Sequence, residues 1–386
     1  MLDRKKENSY ITATYLVEST KSVHKAAKDI ALGQSIGNPD IRSEMETADL
    51  YDNHGCQIVD SFLPDRAGCE RIKIKFPVAN FSHADGLTQL MVMLMGGQMD
   101  IDHIVMCRLI DIDLPRSLFL QPNYGISGIR KRLDVHDRPL VGGIIKPKTG
   151  MDHNLLEKIV TEMVEGGCDI IKEDEILSCP YFLPYGQRVE VVESVRKVTG
   201  KNFLYLFTVN GGDYAFRAHM LNKIPFFAGV HLNFWNGLGS YEYVNRNARN
   251  LVLFFQRSGI QVLTDGRNQY GISWDVIVQL TAMMGIDIIH AGMWGGYHND
   301  NEISLGINLK RLRSHNILPS LSCGMHPGLV GAIRKRFGID FIANTGGAIH
   351  GHPDGIRAGA KAMLQAAMGR RGKEYETAIK IWGKKE

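Results

Sequence analysis

Residues 167–175 read GCDIIKEDE, and the pattern of this segment, an apolar run followed by charged residues, indicates the architecture of much of the chain. It begins as an apolar run typical of a buried strand and ends in one lysine and three acids. Because side chains alternate along a strand, Ile170, Lys172 and Asp174 share one face, and Glu175 follows where the strand stops. Acids in a solvated turn would explain the segment if it stood alone.

A second apolar run ends in the same way. Residues 140–148 read LVGGIIKPK, so that Lys146 and Lys148 close a strand just as the acids do. A pair of surface lysines beside a Pro-Lys-Thr-Gly turn is the simpler explanation. Two neighbouring runs with the same ending favour a functional edge of a sheet.

From about residue 140, short apolar runs alternate regularly with amphipathic stretches. Eight strand–helix units in roughly 230 residues match the size and count of a (β/α)8 barrel. An open doubly wound sheet is the rival, but no GxGxxG follows the first run. The eight runs are LVGGIIKPK, CDIIKED, FLYLFTV, AGVHLNF, IQVLTD, IDIIHAG, LPSLSCG and DFIANTGG. Since catalytic groups gather at the carboxyl ends of barrel strands, the polar residues there are expected to meet: Lys148, Asp174, Asp265, His290, Ser322, Gly346 and Gly347.

The first part of the chain has a different pattern. An alternating strand over residues 10–18, a helix over 22–32, two further strands, another helix and a strand over 103–115 predict a helix-covered antiparallel sheet. We therefore predict two domains, residues 1–130 and the barrel of residues 131–386.

Composition narrows the classes of function. A formal net charge of +4 over 386 residues, without a long basic block, does not support binding to nucleic acid or to a membrane surface. No apolar run is long enough to span a bilayer, and the charged start MLDRKKENSY lacks the apolar stretch of a signal peptide. The six cysteines form no CxxC pair, which is typical of reduced thiols in a cytoplasmic protein.

The acidic strand end could hold a metal ion. Asp174 and Glu175 offer hard oxygen ligands, which suit Mg²⁺ better than Zn²⁺. Lys172 is either a charge partner of these acids or a free amine that reacts with CO2 to form a carbamate, which would supply a third oxygen. The residues alone leave both possibilities open.

Other strand ends suggest proton transfer and anion binding. Lys146 or Lys148 could move a proton or stabilise an enolate oxygen if burial lowered the pKa of its amine. His290 is either a core histidine or a substrate group. Gly346 and Gly347 expose backbone N–H groups that could bind phosphate, although glycine pairs also simply close turns.

Taken together, these segments resemble the large subunit of ribulose-1,5-bisphosphate carboxylase/oxygenase (RuBisCO) and its RuBisCO-like relatives. The similarity runs through nearly the whole chain, in CRLIDIDLP, GGIIKPKTGM, GGCDIIKEDE, IDIIHAG, LPSLSCGMHPG and NTGGAIHGHPDGIRAGAKA. It implies a ferredoxin-like N-terminal domain, a (β/α)8 barrel, and a homodimer or an oligomer of dimers. In such an assembly the partner's N-terminal domain completes each active site.

The resemblance also implies roles for particular residues. Lys172 corresponds to the lysine that CO2 carbamylates, and Asp174 and Glu175 correspond to the other Mg²⁺ ligands. Lys146 and Lys148 correspond to lysines that handle protons and a substrate oxygen. The remaining matches contact substrate or phosphate: His290, Ser322, Gly324, Gly346 and Gly347.

Several positions depart from true carboxylases. The loop after strand six, MWGGYHNDNEIS, lacks the lysine that orients CO2, and the predicted fifth strand lacks the family's histidines, leaving Arg267 as the candidate phosphate ligand. Near the N-terminus Gly33 replaces an acid and Asn38 a threonine, while Gln98 replaces an asparagine. The losses fall on CO2 handling and on one phosphate site, and they spare the metal site, the two lysines of the first strand and the glycine loop.

We therefore predict a RuBisCO-like, Mg²⁺-dependent enolase or isomerase of a phosphorylated ketose or keto-acid derivative, with a methylthio-bearing substrate as one possibility. The alternatives are decarboxylation of a 3-keto acid phosphate through the same enolate, and true carboxylation. A catalytically silent sugar-phosphate-binding relative is the alternative from another class.

Overall fold

The computed structural model describes residues 10–66 and 68–385. These residues form two compact units. The first contains the described residues up to Leu120 together with 237–242 and 258–284, and the second contains 121–236, 243–257 and 285–385.

The strands and helices alternate along most of the chain. The strands are β1 (Tyr10–Ser19), β2 (Gln57–Arg66), β3 (Cys69–Pro77), β4 (Ile104–Asp113), β5 (Leu140–Ile144), β6 (Ile170–Lys172), β7 (Leu204–Thr208), β8 (Ala228–Asn233), β9 (Val252–Gln256), β10 (Tyr270–Ile272), β11 (Ile288–Gly292), β12 (Leu318–Leu321) and β13 (Ile342–Thr345). The helices are α1 (Val23–Gly33), α2 (Ala48–His54), α3 (Gly86–Leu94), α4 (Gly125–Leu133), α5 (His153–Gly166), α6 (Tyr185–Thr199), α7 (Tyr214–Leu221), α8 (Gly239–Asn247), α9 (Gln261–Thr264), α10 (Trp274–Met284), α11 (Glu302–Ser314), α12 (Pro327–Phe337), α13 (Gly347–His350), α14 (Ile356–Met368) and α15 (Lys373–Trp382).

The first unit contains a five-stranded sheet in the order β10-β4-β1-β3-β2. β1 pairs antiparallel with both β3 and β4. Alternate residues of β1 are buried, as its sequence pattern predicts. Helix α1 begins after Ser22, whose side chain accepts a hydrogen bond from the Lys25 N–H and so satisfies a free donor of the first turn. The predicted helix-covered antiparallel sheet is confirmed.

The second unit contains a closed parallel barrel in the order β5-β6-β7-β8-β9-β11-β12-β13. Its interior is filled by side chains from successive strands, which makes the barrel a packed core and not a pore. The predicted (β/α)8 barrel is confirmed. The core cluster contains Ile129, Leu133, Leu140, Ile170, Leu204, Leu206, Phe227, Val252, Phe254, Ile288, Leu318 and Ile342.

The predicted position of the fifth barrel strand was wrong. That strand is β9, Val252–Gln256, whereas the predicted segment, residues 260–265, contains the short helix α9 and a loop. The segment VLFFQ is buried throughout, so its sequence shows no alternation. A short continuous apolar run cannot be distinguished from part of a buried helix by periodicity alone.

One buried carboxylate joins three elements at the start of the barrel. Asp287 Oδ1 accepts hydrogen bonds from the backbone N–H groups of Tyr124 (2.6 Å) and Gly125 (2.8 Å), at the start of α4. Its Oδ2 accepts from the Leu253 N–H of β9 at 2.7 Å. Asp287 directly precedes β11, so this side chain holds α4, β9 and β11 together.

In the part of the chain that the structure describes, no helix has both the length and the apolar character needed to cross a membrane. All six cysteines are free thiols.

Candidate active site

Lys172 lies at the carboxyl end of β6 with only 1% of its side chain exposed. Its Nζ donates to the backbone carbonyl of Glu173 at 2.9 Å and lies 3.7 Å from Glu175 Oε2. Burial lowers the pKa of Lys172, and this effect exceeds the opposing attraction of Glu175 and Asp174. The site therefore favours an uncharged amine more than water does.

Asp174 lies beside this lysine and is paired with another. Lys146 Nζ donates to Asp174 Oδ2 at 2.6 Å, and the lysine side chain is 32% exposed while the aspartate is buried. The structure thus brings together both predicted strand ends, because β5 and β6 are adjacent in the barrel.

The acids and the lysine fit a divalent ion only as a mixed set. Among residues 10–66 and 68–385, no group of three His, Cys, Asp or Glu side chains is placed to hold a metal. Asp174 and Glu175 supply two carboxylates, so a third oxygen has to come from another kind of side chain. A carbamate on Lys172 would have the required charge and would lie next to Glu175, whose Oε2 is 3.7 Å from Lys172 Nζ.

Glu173, the remaining acid of the segment, has a different role. It is fully buried, and its carboxylate accepts hydrogen bonds from Arg188 (2.5 Å), the Tyr205 hydroxyl (3.0 Å) and the Thr208 N–H (2.8 Å). These contacts satisfy the carboxylate within the protein. Strand alternation could have separated Glu173 from Lys172 and Asp174, since it belongs to the opposite face.

A glycine-lined cavity of about 460 Å³ lies next to Lys146. Gly324, with φ of +102°, approaches the Tyr297 backbone so closely that a Cβ there would lie 2.5 Å from its nitrogen. Gly347 has open space where a side chain would project. The cavity therefore collects four predicted site residues, and its full lining is Ile144, Lys146, Gly295, Gly296, Tyr297, Gly324, Met325, His326, Thr345, Gly346, Gly347, Ala348 and Trp382.

A second cavity, of about 610 Å³, borders the acidic strand end through Glu175. Trp235 and Tyr214 contribute aromatic surface to it, and the other lining residues are Asn210, Gly211, Gly212, Asn233 and Asn236. The group formed by Lys146, Lys172, Asp174 and Glu175 therefore has open volume on two sides: one cavity is lined by Lys146 and the other by Glu175.

His290 and Ser322 meet at the ends of β11 and β12. Ser322 Oγ lies 3.2 Å from His290 Nδ1, and both side chains are buried. Burial beside Lys172 lowers the pKa of His290 to about 3, so the ring is neutral near pH 7. A neutral imidazole can donate through one nitrogen and accept through the other.

Sequence reasoning missed Arg257. It directly follows β9, is largely buried, donates to the Ala291 carbonyl at 3.2 Å, and lies 3.3 Å from His298 Nε2. The resemblance places an arginine at the end of strand five, and Arg257 occupies that position once the strand is correctly located. The first charged residue after VLFFQ was the available clue.

Two other predicted residues are exposed. Lys148 lies in the loop after β5 and is exposed. The Arg267 side chain is 90% exposed and pairs with Asp265 at 2.5 Å. Arg267 belongs to the first compact unit, in the connection between β9 and β10.

Asn38 and Gln98 also belong to the first unit. Asn38 is exposed, and its Oδ1 accepts from the Asp40 N–H at 2.8 Å. Gln98 packs against Gly33 so tightly that a Cβ on Gly33 would lie 2.1 Å from Gln98 Cδ. The Gln98 side chain therefore fills the space beside Gly33 in this structure.

The fold and this arrangement define a RuBisCO-type barrel enzyme: acids and lysines at the carboxyl ends of adjacent strands, next to a glycine-lined cavity. Residues 125–315 match the family model for the catalytic domain of the ribulose bisphosphate carboxylase large chain. The chain is 30% identical over 400 residues to the 2,3-diketo-5-methylthiopentyl-1-phosphate enolase of Exiguobacterium sibiricum, and the match covers 97% of this chain and 99% of the relative.

Solved structures agree with the sequence match. A RuBisCO-like protein from Alicyclobacillus acidocaldarius superposes with a TM-score of 0.84 at 26% identity, covering 97% of this chain and all of that one (100%). The octameric RuBisCO of Pyrococcus horikoshii gives 0.87 at 26% identity, covering 98% and 95%. The chain belongs to the RuBisCO large-chain family, and within it to the RuBisCO-like enolases.

Proposed function

We propose that this enolase is Mg²⁺-dependent and acts on a phosphorylated diketone or ketose, as a cytoplasmic homodimer or an oligomer of dimers. The observation that carries the proposal is the cluster of Lys172, Asp174 and Glu175 beside the cavity that contains Gly346 and Gly347. The cluster suits a divalent ion, and the cavity suits a phosphate group.

Lys172 is the residue that prepares the site. Its uncharged amine attacks CO2, an N–C bond forms, and the nitrogen releases one proton, which leaves a negatively charged carbamate. This carbamate, Asp174 and Glu175 would hold the metal ion. Bound Mg²⁺ supplies positive charge that stabilises an oxyanion developing on the substrate.

The remaining residues bind and orient the substrate. We assign phosphate binding to the backbone N–H groups of Gly324, Gly346 and Gly347, and we propose Arg257 in place of Arg267 for a second anionic group, because a largely buried guanidinium binds oxyanions strongly. Ser322 and neutral His290 offer further hydrogen bonds to oxygen atoms of the substrate.

Proton transfer is assigned to the pair of lysines that follows β5. Lys146 lines the cavity and lies within reach of Asp174, which makes it the first candidate, and Lys148 is the second. In this structure Lys146 Nζ is occupied by its hydrogen bond to Asp174 Oδ2. If Asp174 binds a metal ion, this pairing weakens and the lysine becomes available to the substrate.

The substrate to test first is 2,3-diketo-5-methylthiopentyl 1-phosphate, because full-length relatives are named for its enolisation. Carboxylation is disfavoured, because the loop after β11 lacks a lysine. His298 of that loop lies 3.2 Å from Asp300 Oδ1 and 3.3 Å from Arg257.

The test is solvent deuterium uptake followed by NMR, with Mg²⁺ and bicarbonate present. We expect the diketone phosphate to exchange the proton next to its carbonyl, and the exchange to stop when Mg²⁺ is removed. Lys172→Ala should abolish uptake with the barrel still folded, while Lys197→Ala, which changes an exposed lysine of α6, should have no effect. Lys146→Met and Lys148→Met then identify the proton-transfer residue.

Three outcomes would contradict parts of this proposal. Full activity of Lys172→Ala would exclude the carbamate. Release of CO2 from a 3-keto acid phosphate, without uptake from any ketone, would identify a decarboxylase. Tight Mg²⁺ binding without turnover of any phosphorylated ketone or keto acid would identify a binding protein.

A further inference from the structure

Three ionisable side chains surround one aromatic ring inside the barrel. Lys172, His231 and His290 come from β6, β8 and β11, the second, fourth and sixth barrel strands, and alternate strands fill one interior layer of such a barrel. The Phe254 ring centre lies 5.7 Å from Lys172 Nζ, 6.2 Å from the His231 ring centre and 4.7 Å from that of His290. The three groups therefore share one small volume beneath the strand ends.

His231 differs from the other two members of this group in its hydrogen bonding. It is fully buried, with 0% of its surface exposed, and within the described chain neither Nδ1 nor Nε2 has a hydrogen-bond partner. The Glu173 carbonyl lies near the ring, and it accepts a hydrogen bond from Lys172 Nζ at 2.9 Å. Native proteins leave few buried polar groups unsatisfied, so this ring calls for an explanation.

Other buried histidines of the protein show the contrast. His352 is bonded through both nitrogens, to the Glu374 carbonyl at 3.0 Å and from the Asp354 N–H at 3.1 Å. His103 is bonded to Ser19 and Asp29. Full burial of a histidine in this chain does not by itself entail loss of its partners.

The chemistry proposed for Lys172 creates a group that His231 could bind. A carbamate adds two oxygen atoms to Nζ. The strand neighbours of Lys172, Ile144 on β5 and Leu206 on β7, have apolar side chains and offer the new group no side-chain donor. An imidazole ring carries at least one N–H in either protonation state, so His231 can donate to such a group.

We infer that His231 positions the carbamylated Lys172 by donating a ring N–H hydrogen bond to one carbamate oxygen. The other oxygen is then turned toward Asp174 and Glu175. This inference rests on the carbamate assigned under the proposed function. His231 acts through Lys172 and is a positioning residue. No covalent bond to His231 is made or broken.

The experiment measures the modification itself. The protein is equilibrated with Mg²⁺ and increasing ¹³CO2, and the carbamate carbon is followed by ¹³C NMR, with Lys172→Ala to identify its resonance. We expect His231→Phe, which removes the donor, to need about tenfold more CO2 for half-carbamylation, the effect of losing one hydrogen bond to a charged group. His231→Gln, whose amide can donate, should recover most of the wild-type response.

Two further measurements separate positioning from folding. His352→Phe makes the same substitution at a buried histidine outside the site, and it should leave the CO2 dependence unchanged whatever it does to the melting temperature. In the wild-type protein labelled with ¹⁵N-histidine, the His231 ring resonances should shift when CO2 and Mg²⁺ are added together. This second measurement uses only the wild-type protein, so it does not depend on whether a variant folds.

The possible results are distinct. Equal CO2 dependence of His231→Phe and wild type, or unshifted His231 resonances in carbamylated protein, would overturn the positioning role and leave the carbamate intact. Absence of a Lys172 carbamate in the wild type would overturn both this inference and the carbamate on which it depends.

Discussion

Two adjacent acids of one segment have different environments. Glu173 is enclosed by Arg188 and Tyr205, whereas Asp174 meets Lys146 at the edge of a cavity. The difference arises because successive side chains of a strand point to opposite faces. Glu173 therefore belongs to the packing between barrel and helices, and Asp174 belongs to the site.

Removing the charge of Glu173 should destabilise the fold. Glu173→Gln leaves the fully buried Arg188 without its counter-ion, and we expect a loss of about 3 kcal/mol in the free energy of unfolding. Urea denaturation measures the change. Glu162→Gln, which weakens the partly exposed pair with Arg357, serves as the control and should cost about 1 kcal/mol or less. Similar small losses for both variants would contradict the structural role of Glu173.

The two arginines near strand five should behave differently. Arg257→Gln is expected to lower kcat/KM for the phosphorylated substrate by about tenfold to a hundredfold, because a charge-assisted hydrogen bond to an oxyanion is lost. Arg267→Gln should leave kcat/KM unchanged, since Arg267 is exposed and paired with Asp265. Steady-state kinetics of both variants measure these changes. A large loss of kcat/KM in Arg267→Gln with little change in Arg257→Gln would identify Arg267 as the ligand.

Elements of the barrel are joined by side chains that accept backbone donors. Asp287 receives three such hydrogen bonds from α4 and β9. Asp287→Ala leaves these donors buried and unsatisfied, and we expect the free energy of unfolding to fall by about 3 kcal/mol or more. Asp340→Ala is the matched control: it removes the partly exposed partner of Arg130, which keeps its bonds to backbone carbonyls. Urea denaturation measures both losses. An equal loss of unfolding free energy in the two variants would contradict the role of Asp287 as an acceptor for these backbone donors.

His350, in helix α13, should make the stability of the fold depend on pH. His350 Nε2 donates to the Ile144 carbonyl of β5 at 3.1 Å, and burial lowers the pKa of His350 to about 4. In the unfolded chain the ring takes up a proton near pH 6.5, so between pH 6.5 and 4 the unfolded state binds more protons and is favoured as the pH falls. Stability should therefore decline over this range as the solution is acidified.

The contribution of His350 can be isolated by substitution. His350→Gln keeps a donor for the Ile144 carbonyl and has no titrating ring. The difference in unfolding free energy between pH 7 and pH 5, from urea denaturation, should be smaller in this variant than in wild type. An identical difference in both proteins would show that His350 does not contribute to the acid sensitivity.

The assembly gives a prediction for the whole molecule. If the partner's N-terminal domain completes each site, Lys172→Ala and Asn38→Ala inactivate different parts of one shared site. Each variant alone should be nearly inactive, and a mixture refolded or co-expressed should regain about a quarter of wild-type activity, from the one intact site in each mixed dimer. A mixture no more active than its components would contradict a shared site that contains Asn38.

Much of the architecture could be predicted because it depends on local patterns. The barrel and the antiparallel sheet were recognised from alternation and from repeated apolar runs, and both are confirmed. The boundary between residues 130 and 131 stays a prediction. The fifth strand was misplaced because VLFFQ is buried on both faces and carries no period that separates strand from helix.

By itself, the sequence determined the family, the presence of a barrel and an antiparallel sheet, and the strand ends at which lysines and acids occur. It did so because these properties depend on residue type and spacing. Only the tertiary structure decided that Glu173 is enclosed, that Arg257 follows the fifth strand, and that the His231 ring has no hydrogen-bond partner among the described residues. These properties depend on contacts between strands distant in sequence, and burial in the assembled barrel sets the charge and the hydrogen bonding of each group.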